Sequence, residues 1–462
     1  MSSSAEITNR HIFEDVPVPR AIAALALPTV VSQLISTVYN LADTFWVGRL
    51  GDPIQLAALS LIFPTQMLLT ALGNLFGIGA GTVISRRLGS RDLRGASDAS
   101  VFSIYCGVSA AVLFSLVFLL FRPQCLDILG VTPAVTDYVN TYLNIAVLFG
   151  SVPSIFNMLI ANMIRGEGMS RQASIGLSLG GILNIILDPF FVLPFGFGME
   201  IRGAALATLI STLVSSAYFI VLLLRRRGKT VISFMPRFFK AARSSGRSVV
   251  LAGVPAFFQV LMAALSNLAL NSLMISYGEI AEAAIGVTKK IDSIPMGMLS
   301  GLSQGAVPLI AYNYGSGDRD RMRRSLRVTL VCCLTVSLIA VAIVEIFARR
   351  LTGFFISDTQ TIAYGAVFLR LHCASAPFMA VTFSMLSFFQ ATNENRQSFA
   401  LSLIRKGVVD IPLMFLLNMV IPIYGIIACQ PITDTVSAAC AITMFVFWRR
   451  RQSPSVSVSN KE

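Results

Sequence analysis

Residues 27–40 read LPTVVSQLISTVYN, and residues 254–267 read VPAFFQVLMAALSN. Pro28 and Pro255, Asn40 and Asn267, and Gly51 and Gly278 each stand 227 residues apart. After a slip of one residue the pairing continues. GA at 79–80 answers GA at 305–306, and GSRD at 89–92 answers GSGD at 315–318. RQ at 171–172 recurs at 396–397, and RRR at 225–227 recurs at 449–451. A period near half of a 462-residue chain, with order preserved, describes two homologous halves.

The material of both halves is apolar. Of all residues 55% are hydrophobic and 13% charged, and the mean hydropathy is +0.74. A soluble domain carries about 25% charged residues, so this composition excludes a soluble enzyme and a disordered chain. Uncharged runs such as Ala21 to Ala42, Pro53 to Ser85, Tyr138 to Ile164 and Ser248 to Gly278 exceed the ~20 residues of a membrane-crossing helix. Division at the polar loops predicts twelve such helices, centred near residues 35, 70, 110, 148, 179, 213, 262, 297, 337, 377, 408 and 436. Six per half is an even number, so both halves enter the membrane in the same direction. Repeats of that kind are related by an axis along the membrane normal, with substrate sites between them. The expected organisation is a tail over 1–20, a six-helix bundle over 21–227, a linker over 228–247, a second bundle over 248–451 and a tail over 452–462.

The net charge of +13 is distributed by loop. Arg86, Arg87, Arg91 and Arg94, the cluster from Arg225 to Arg247 that includes Arg237, Arg319 to Arg327, and Arg449 to Arg451 fall on the side of the termini. The opposite loops hold only Arg49, Arg122, Arg202, Arg349 and Arg350. This asymmetry predicts a multi-pass protein of the cell (inner) membrane with both termini cytoplasmic. Basic residues clustered between apolar runs do not describe a nucleic-acid surface. The N-terminus lacks a basic-then-apolar signal sequence. The seven cysteines include no C-x-x-C and His11 and His372 are far apart, so neither a disulfide framework nor a metal site is expected.

Two motifs mislead. Gly228-Lys229-Thr230 resembles the end of a phosphate-binding loop, but the required first glycine, at 223, is Leu. G-x-S-x-G occurs at 176–180 and 301–305 inside predicted membrane helices without a nearby histidine, which favours helix packing by small residues over a serine nucleophile. No enzyme is expected, and no cofactor.

Ionisable groups in a bilayer are expensive and mark function. The first half has Asp43, with Tyr39 and Asn40 on the same helical face, and Asp188, four residues after Asn184 and just before Pro189. Thr208 and Asn157 lie at similar depth. Neither aspartate has a basic residue in its own half-membrane. A carboxyl so placed exchanges a proton, or binds Na⁺ when both are ionised. The second half instead clusters Lys289, Lys290 and Asp292, then Arg405, Lys406 and Asp410. Lys406 and Asp410, four apart, can neutralise each other. The group reads either as a structural network or as a basic site that competes with a cationic substrate. Arg370 and His372 read as lying near a helix end. Asn40, Gln259, Asn267, Asp292, Met296 and Gln304 are the candidate substrate-cavity residues.

The stretches ALPTVVSQLISTVYNLADTFWVG at 26–48, NIILDPFF at 184–191 and GLSQGAVPLIAYNYGSGD at 301–318 together resemble the multidrug and toxic compound extrusion (MATE) family, in its DinF-like and MepA-like branch. The resemblance covers residues from about 20 to 450. It implies twelve helices in two bundles around a V-shaped cavity. It implies H⁺- or Na⁺-coupled antiport that exports organic cations, drugs or other amphipathic small molecules from the bilayer, with the chain working as a monomer. Ion-coupling roles then fall on Asp43, Asn184 and Asp188, with Tyr39, Asn157 and Thr208 beside them. The position aligned with Asp43 in the second half is Leu270, so no ion site is expected there. The alternative is a flippase of lipids or lipid-linked oligosaccharides, which the basic residues of the second half would suit.

Overall fold

The computed structural model describes residues 10–235 and 238–452; residues 1–9, Pro236, Arg237 and 453–462 lie outside the described residues. Every regular element among the described residues is helical. Twelve spans follow in order: α1 (Val18–Gly48), α2 (Pro53–Gly89), α3 (Leu93–Leu120), α4 (Thr136–Phe149 with Ser151–Gly166), α5 (Ser170–Val192), α6 (Glu200–Arg225), α7 (Arg247–Ile275), α8 (Glu279–Ser316), α9 (Arg319–Gly353), α10 (Thr359–Cys373 with Ala376–Ala391), α11 (Asn395–Leu403, Ile404–Val408 and Asp410–Val420) and α12 (Tyr424–Gln452). Each centre expected from the sequence falls inside one of them. Nine are long and apolar enough to cross a membrane as single helices. α4 and α10 are bent by 49° and 41°. α11 is interrupted by a π-helical turn over Ile404–Val408.

Local chemistry sets the starts. Asp52, Asp92, Asp318 and Asp358 each accept from a backbone N–H of the first turn of α2, α3, α9 and α10, at 2.7–2.9 Å. These caps satisfy donors that a helix leaves without partners. Hydrogen bonds from Thr361 hold the exposed Asp358 carboxyl below its ordinary range. Large apolar side chains on the outer faces, such as Leu113, Leu338, Ile343 and Ile346, stand exposed, as a lipid-facing surface requires.

The end that carries the termini is closed. α1 is buried from Val18 to Ser32 and then, apart from Val47, at no further position. Its buried half lies on α8, where a Cβ added at Gly301 would overlap Val30 and one at Gly305 would overlap Ala26. α2 and α7 interlock in the same manner, Gly79 against the Val249 carbonyl and Gly253 against the Leu75 carbonyl. Backbone thus meets backbone, which small residues permit between membrane helices. Gly176 and Gly180 likewise pack on α6, at Phe219 and Ser211.

Two peripheral segments brace this end. The short helix Arg10–Glu14 stacks Phe13 on Tyr312 with ring centroids 4.5 Å apart, and Arg321 donates to the Phe13 and Val16 carbonyls. The segment after α6 is hooked to the α4–α5 loop: Thr230 Oγ1 and Val231 N both donate to Glu167 at 2.7 Å. Gly228-Lys229-Thr230 is therefore part of a strap. Glu167 is 1% exposed, and burial pushes its carboxyl up to about 7.

Candidate functional site

The first six helices assemble a buried carboxyl cluster from α1, α4, α5 and α6. On α5 the four-residue spacing of Asn184 and Asp188 puts both on one face. Asn184 Nδ2 donates to Asp188 Oδ1 at 3.1 Å and lies 3.3 Å from Thr208 Oγ1 of α6. Asp188 is fully buried and Asn184 2% exposed. Asp43 and Tyr39 of α1 lie within electrostatic reach of Asp188. Tyr142 of α4 faces Asp43 and Tyr39, with its hydroxyl accepting from Gln66 Nε2 at 3.0 Å.

Three acceptor atoms here have no protein donor: Asp43 Oδ1, Asp188 Oδ2 and Asn184 Oδ1. Enclosed oxygens of this kind seek a proton or a cation. Among the described residues no group of three or more His, Cys, Asp or Glu could hold a metal ion. Asn157 belongs to an adjoining network. It donates to the Thr212 carbonyl at 2.9 Å and accepts from Ser216 at 2.8 Å. Its link to Asp188 runs through Thr212, Thr208 and Asn184. Next to this network α4 runs as a π-helix over Asn144–Phe149 before its bend, a distortion frequent at functional sites.

A cavity of about 410 Å³ is lined by α7, α8, α10, α11 and α12 together with Ser60, Phe63 and Pro64 of α2. Of the candidate substrate-cavity residues, Asn267, Asp292 and Met296 line it and Asn40, Gln259 and Gln304 do not. Asn40 is exposed and donates to the Ser36 carbonyl of its own helix. The cavity wall is charged. Asp292 pairs with His372 at 3.3 Å. Asp410 is 3.5 Å from Lys406 and accepts from Ser266 Oγ at 2.5 Å. Arg405 pairs with Asp434 at 3.0 Å, and Gln430 donates to the same carboxylate. Lys289 Nζ donates to Asn267 Oδ1 at 2.6 Å. Lys290 is exposed and lies outside the lining.

His372, Gln430 and Asp434 were not expected here. His372 does end a helix, but the break at Ala374–Ser375 is inside α10, so the ring faces Asp292 instead of solvent. Asp434 stands four residues after Gln430 in an apolar helix, a signal of the same kind as Asn184 and Asp188.

The MatE family model matches the chain twice, at residues 28–190 and 255–416. The "Multidrug export protein MepA" of Staphylococcus saprophyticus is 30% identical over 442 residues, which cover 96% of this chain and 96% of the relative. The protein of the same name in Staphylococcus aureus (strain NCTC 8325) is 30% identical over 448 residues, 97% of this chain and 98% of the relative. A solved "outward-facing conformation of a multidrug resistance MATE family transporter of the MOP superfamily" superposes with a TM-score of 0.88 at 24% identity, covering 98% of both chains. A crystal structure of MATE in complex with MaL6 has the same score and identity over 97% of this chain and 98% of the other. The internal repeat, the twelve helices and these likenesses agree: this chain is a membrane transporter of the MATE family, similar to MepA.

Proposed function

We propose that the protein exports amphipathic and cationic small molecules, drugs among them, in exchange for H⁺ or Na⁺ taken at Asp43 and Asp188. The single observation that carries this reading is the trio of enclosed acceptors, Asp43 Oδ1, Asp188 Oδ2 and Asn184 Oδ1. The names of the 30%-identical relatives support drug export. The loop-by-loop basic asymmetry supports cytoplasmic termini in the cell membrane. The closed end then faces the cytoplasm and the conformation is outward-facing.

α1 supplies the coupling element. It carries Ala26 and Val30 of the seal and Asp43 of the carboxyl cluster on one uninterrupted helix. Seventeen residues of helix place the two roughly 26 Å apart. A charge change at Asp43 therefore acts on the helix that closes the cytoplasmic end. One chain contains both halves, so the monomer is the working unit of this reading.

Efflux of a fluorescent organic cation from reconstituted vesicles tests it, under a proton gradient alone and then a sodium gradient alone. Transport under either gradient, lost in Asp43→Asn, is the expected result and identifies the ion. Undiminished gradient-driven transport in both Asp43→Asn and Asp188→Asn would overturn the assignment. The flippase reading has one observation in its favour, the cations of the second cavity, and no transport under either gradient would favour it.

A further inference from the structure

The two halves carry similar four-residue pairs with opposite bias. On α5 the buried Asn184 precedes Asp188 by four residues; on α11 Lys406 precedes Asp410 by four. Tyr39 of α1 and Ser266 of α7 are 227 residues apart, and Ser266 donates to Asp410. At the carboxyl cluster of the first half the unmatched atoms are the acceptors Asp43 Oδ1, Asp188 Oδ2 and Asn184 Oδ1; at the cavity of the second half the unmatched atom is a donor, Arg405 Nη2.

Three aspartates at or next to the cavity wall are engaged. Asp292 has His372, Asp410 has Ser266, Lys406 and the Cys429 thiol, and Asp434 has Arg405 and Gln430. The cations of that wall are matched less well. Lys289 donates to a neutral amide oxygen of Asn267 and has no carboxylate at salt-bridge distance. Arg405 is 4% exposed and lines the cavity, yet its Nη2 has no acceptor in the protein. Its guanidinium rests on the Phe383 ring, 4.5 Å from the centroid, which fixes its plane. Lys406 also donates to a neutral group, Gln430 Oε1. The π-helical turn Ile404–Val408 holds Arg405 and Lys406 at the wall.

A buried guanidinium N–H without an acceptor, on the same cavity wall as a lysine held only by an amide, offers an anionic oxygen two donors. The wall also carries apolar groups, among them Phe63 and Pro64 of α2 with Met296 and Met379. A volume of 410 Å³ suits a drug-sized molecule. We propose that this cavity binds the oxyanion, carboxylate or phosphate, of an amphipathic molecule, with Lys289 and Arg405 taking the charged oxygens and the apolar groups taking the body. The inference rests on the export reading and deepens it: the transported class includes zwitterions and anions as well as cations.

Equilibrium binding tests it without any gradient. The probes are dansyl-phenylalanine and its methyl ester, which differ by the carboxylate charge, titrated onto protein in neutral phosphatidylcholine nanodiscs against protein-free discs. The acid should bind about ten-fold tighter than the ester. Lys289→Met should bring the ratio near one, and Lys289→Arg should keep it. Equal binding of acid and ester by the wild-type protein overturns the proposal, whatever the variants do. An undiminished ratio in Lys289→Met overturns the role given to Lys289. Repeating the titration in discs containing phosphatidylglycerol separates the sources. Weaker acid binding there in the wild type and in Lys289→Arg identifies a lipid phosphate as a competitor for the same seat, and unchanged binding identifies a free small-molecule oxyanion. Failure of ion coupling in the vesicle assay leaves this ratio untouched, and failure here leaves the coupling result standing.

Discussion

Asn184 gives one amide hydrogen to Asp188 Oδ1 at 3.1 Å and leaves Asp188 Oδ2 enclosed without a donor. The amide thus orients the carboxyl while one oxygen stays free to take the coupling ion. Asn184→Ala should lower the gradient-driven transport rate by roughly ten-fold, the scale of one hydrogen bond to a charged group. Asp188→Asn should abolish it while the protein still elutes as one species. An Asn184→Ala rate equal to wild type would remove Asn184 from the coupling cluster.

The crossing of α2 and α7 admits no side chain at Gly253. A methyl group there meets the Leu75 carbonyl oxygen. Gly253→Ala should lower stability by about 1–3 kcal/mol, as overpacking does, and should raise labelling of a cysteine placed at Ala252 by a reagent applied from the terminal side. Unchanged thermal unfolding together with unchanged labelling would show that this seam yields without strain.

Glu167 links the strap to pH. Its carboxyl lies outside the spans of α4 and α5, and burial raises it from 4.5 to about 7. Between those values the docked carboxyl keeps a proton that the undocked one has lost. Docking is therefore coupled to proton uptake, and its stability falls as pH rises through that window. Amide exchange at Val231, corrected for its intrinsic pH dependence, should accelerate from pH 5 to pH 8. Glu167→Gln should flatten this trend, because the neutral amide still accepts from Val231.

Arg405 and Asp434 are 5% and 0% exposed at their side chains, 3.0 Å apart. Removing one member leaves the other charge buried, a loss of about 3–5 kcal/mol. Asp434→Leu should lower the unfolding temperature far more than Asp43→Asn, because Asp43 Oδ1 already has no donor to lose. Arg405→Met combined with Asp434→Leu should recover much of that loss. Additive losses in the double variant would refute a pairwise origin.

The spans were legible in the sequence because nothing but length and apolarity is needed to read them, and the repeat from Pro28 to Pro255 paired the halves. Asp43, Asn184 and Asp188 were legible because a carboxyl stands out in an apolar run. Tyr142 and Gln66 were not, since either residue passes unnoticed on a membrane helix and only packing brings their side chains together. His372 was hidden by a break that contains neither proline nor glycine, at Ala374–Ser375. The π-helical turn at Ile404–Val408 has no local signature. It is set by tertiary fit, with Gly407 lying against Met262. Asp434 was within reach, four residues after Gln430 in the helix centred near residue 436.

The seam between α1 and α8 has one more implication. It is made at Ala26, Val30, Gly301 and Gly305, where main chain lies on main chain and little interdigitates. A surface without knobs behaves as a slip plane. Parting it pulls no long side chain from a socket, so a movement of α1 along α8 meets main chain and methyl groups and not interlocked side chains.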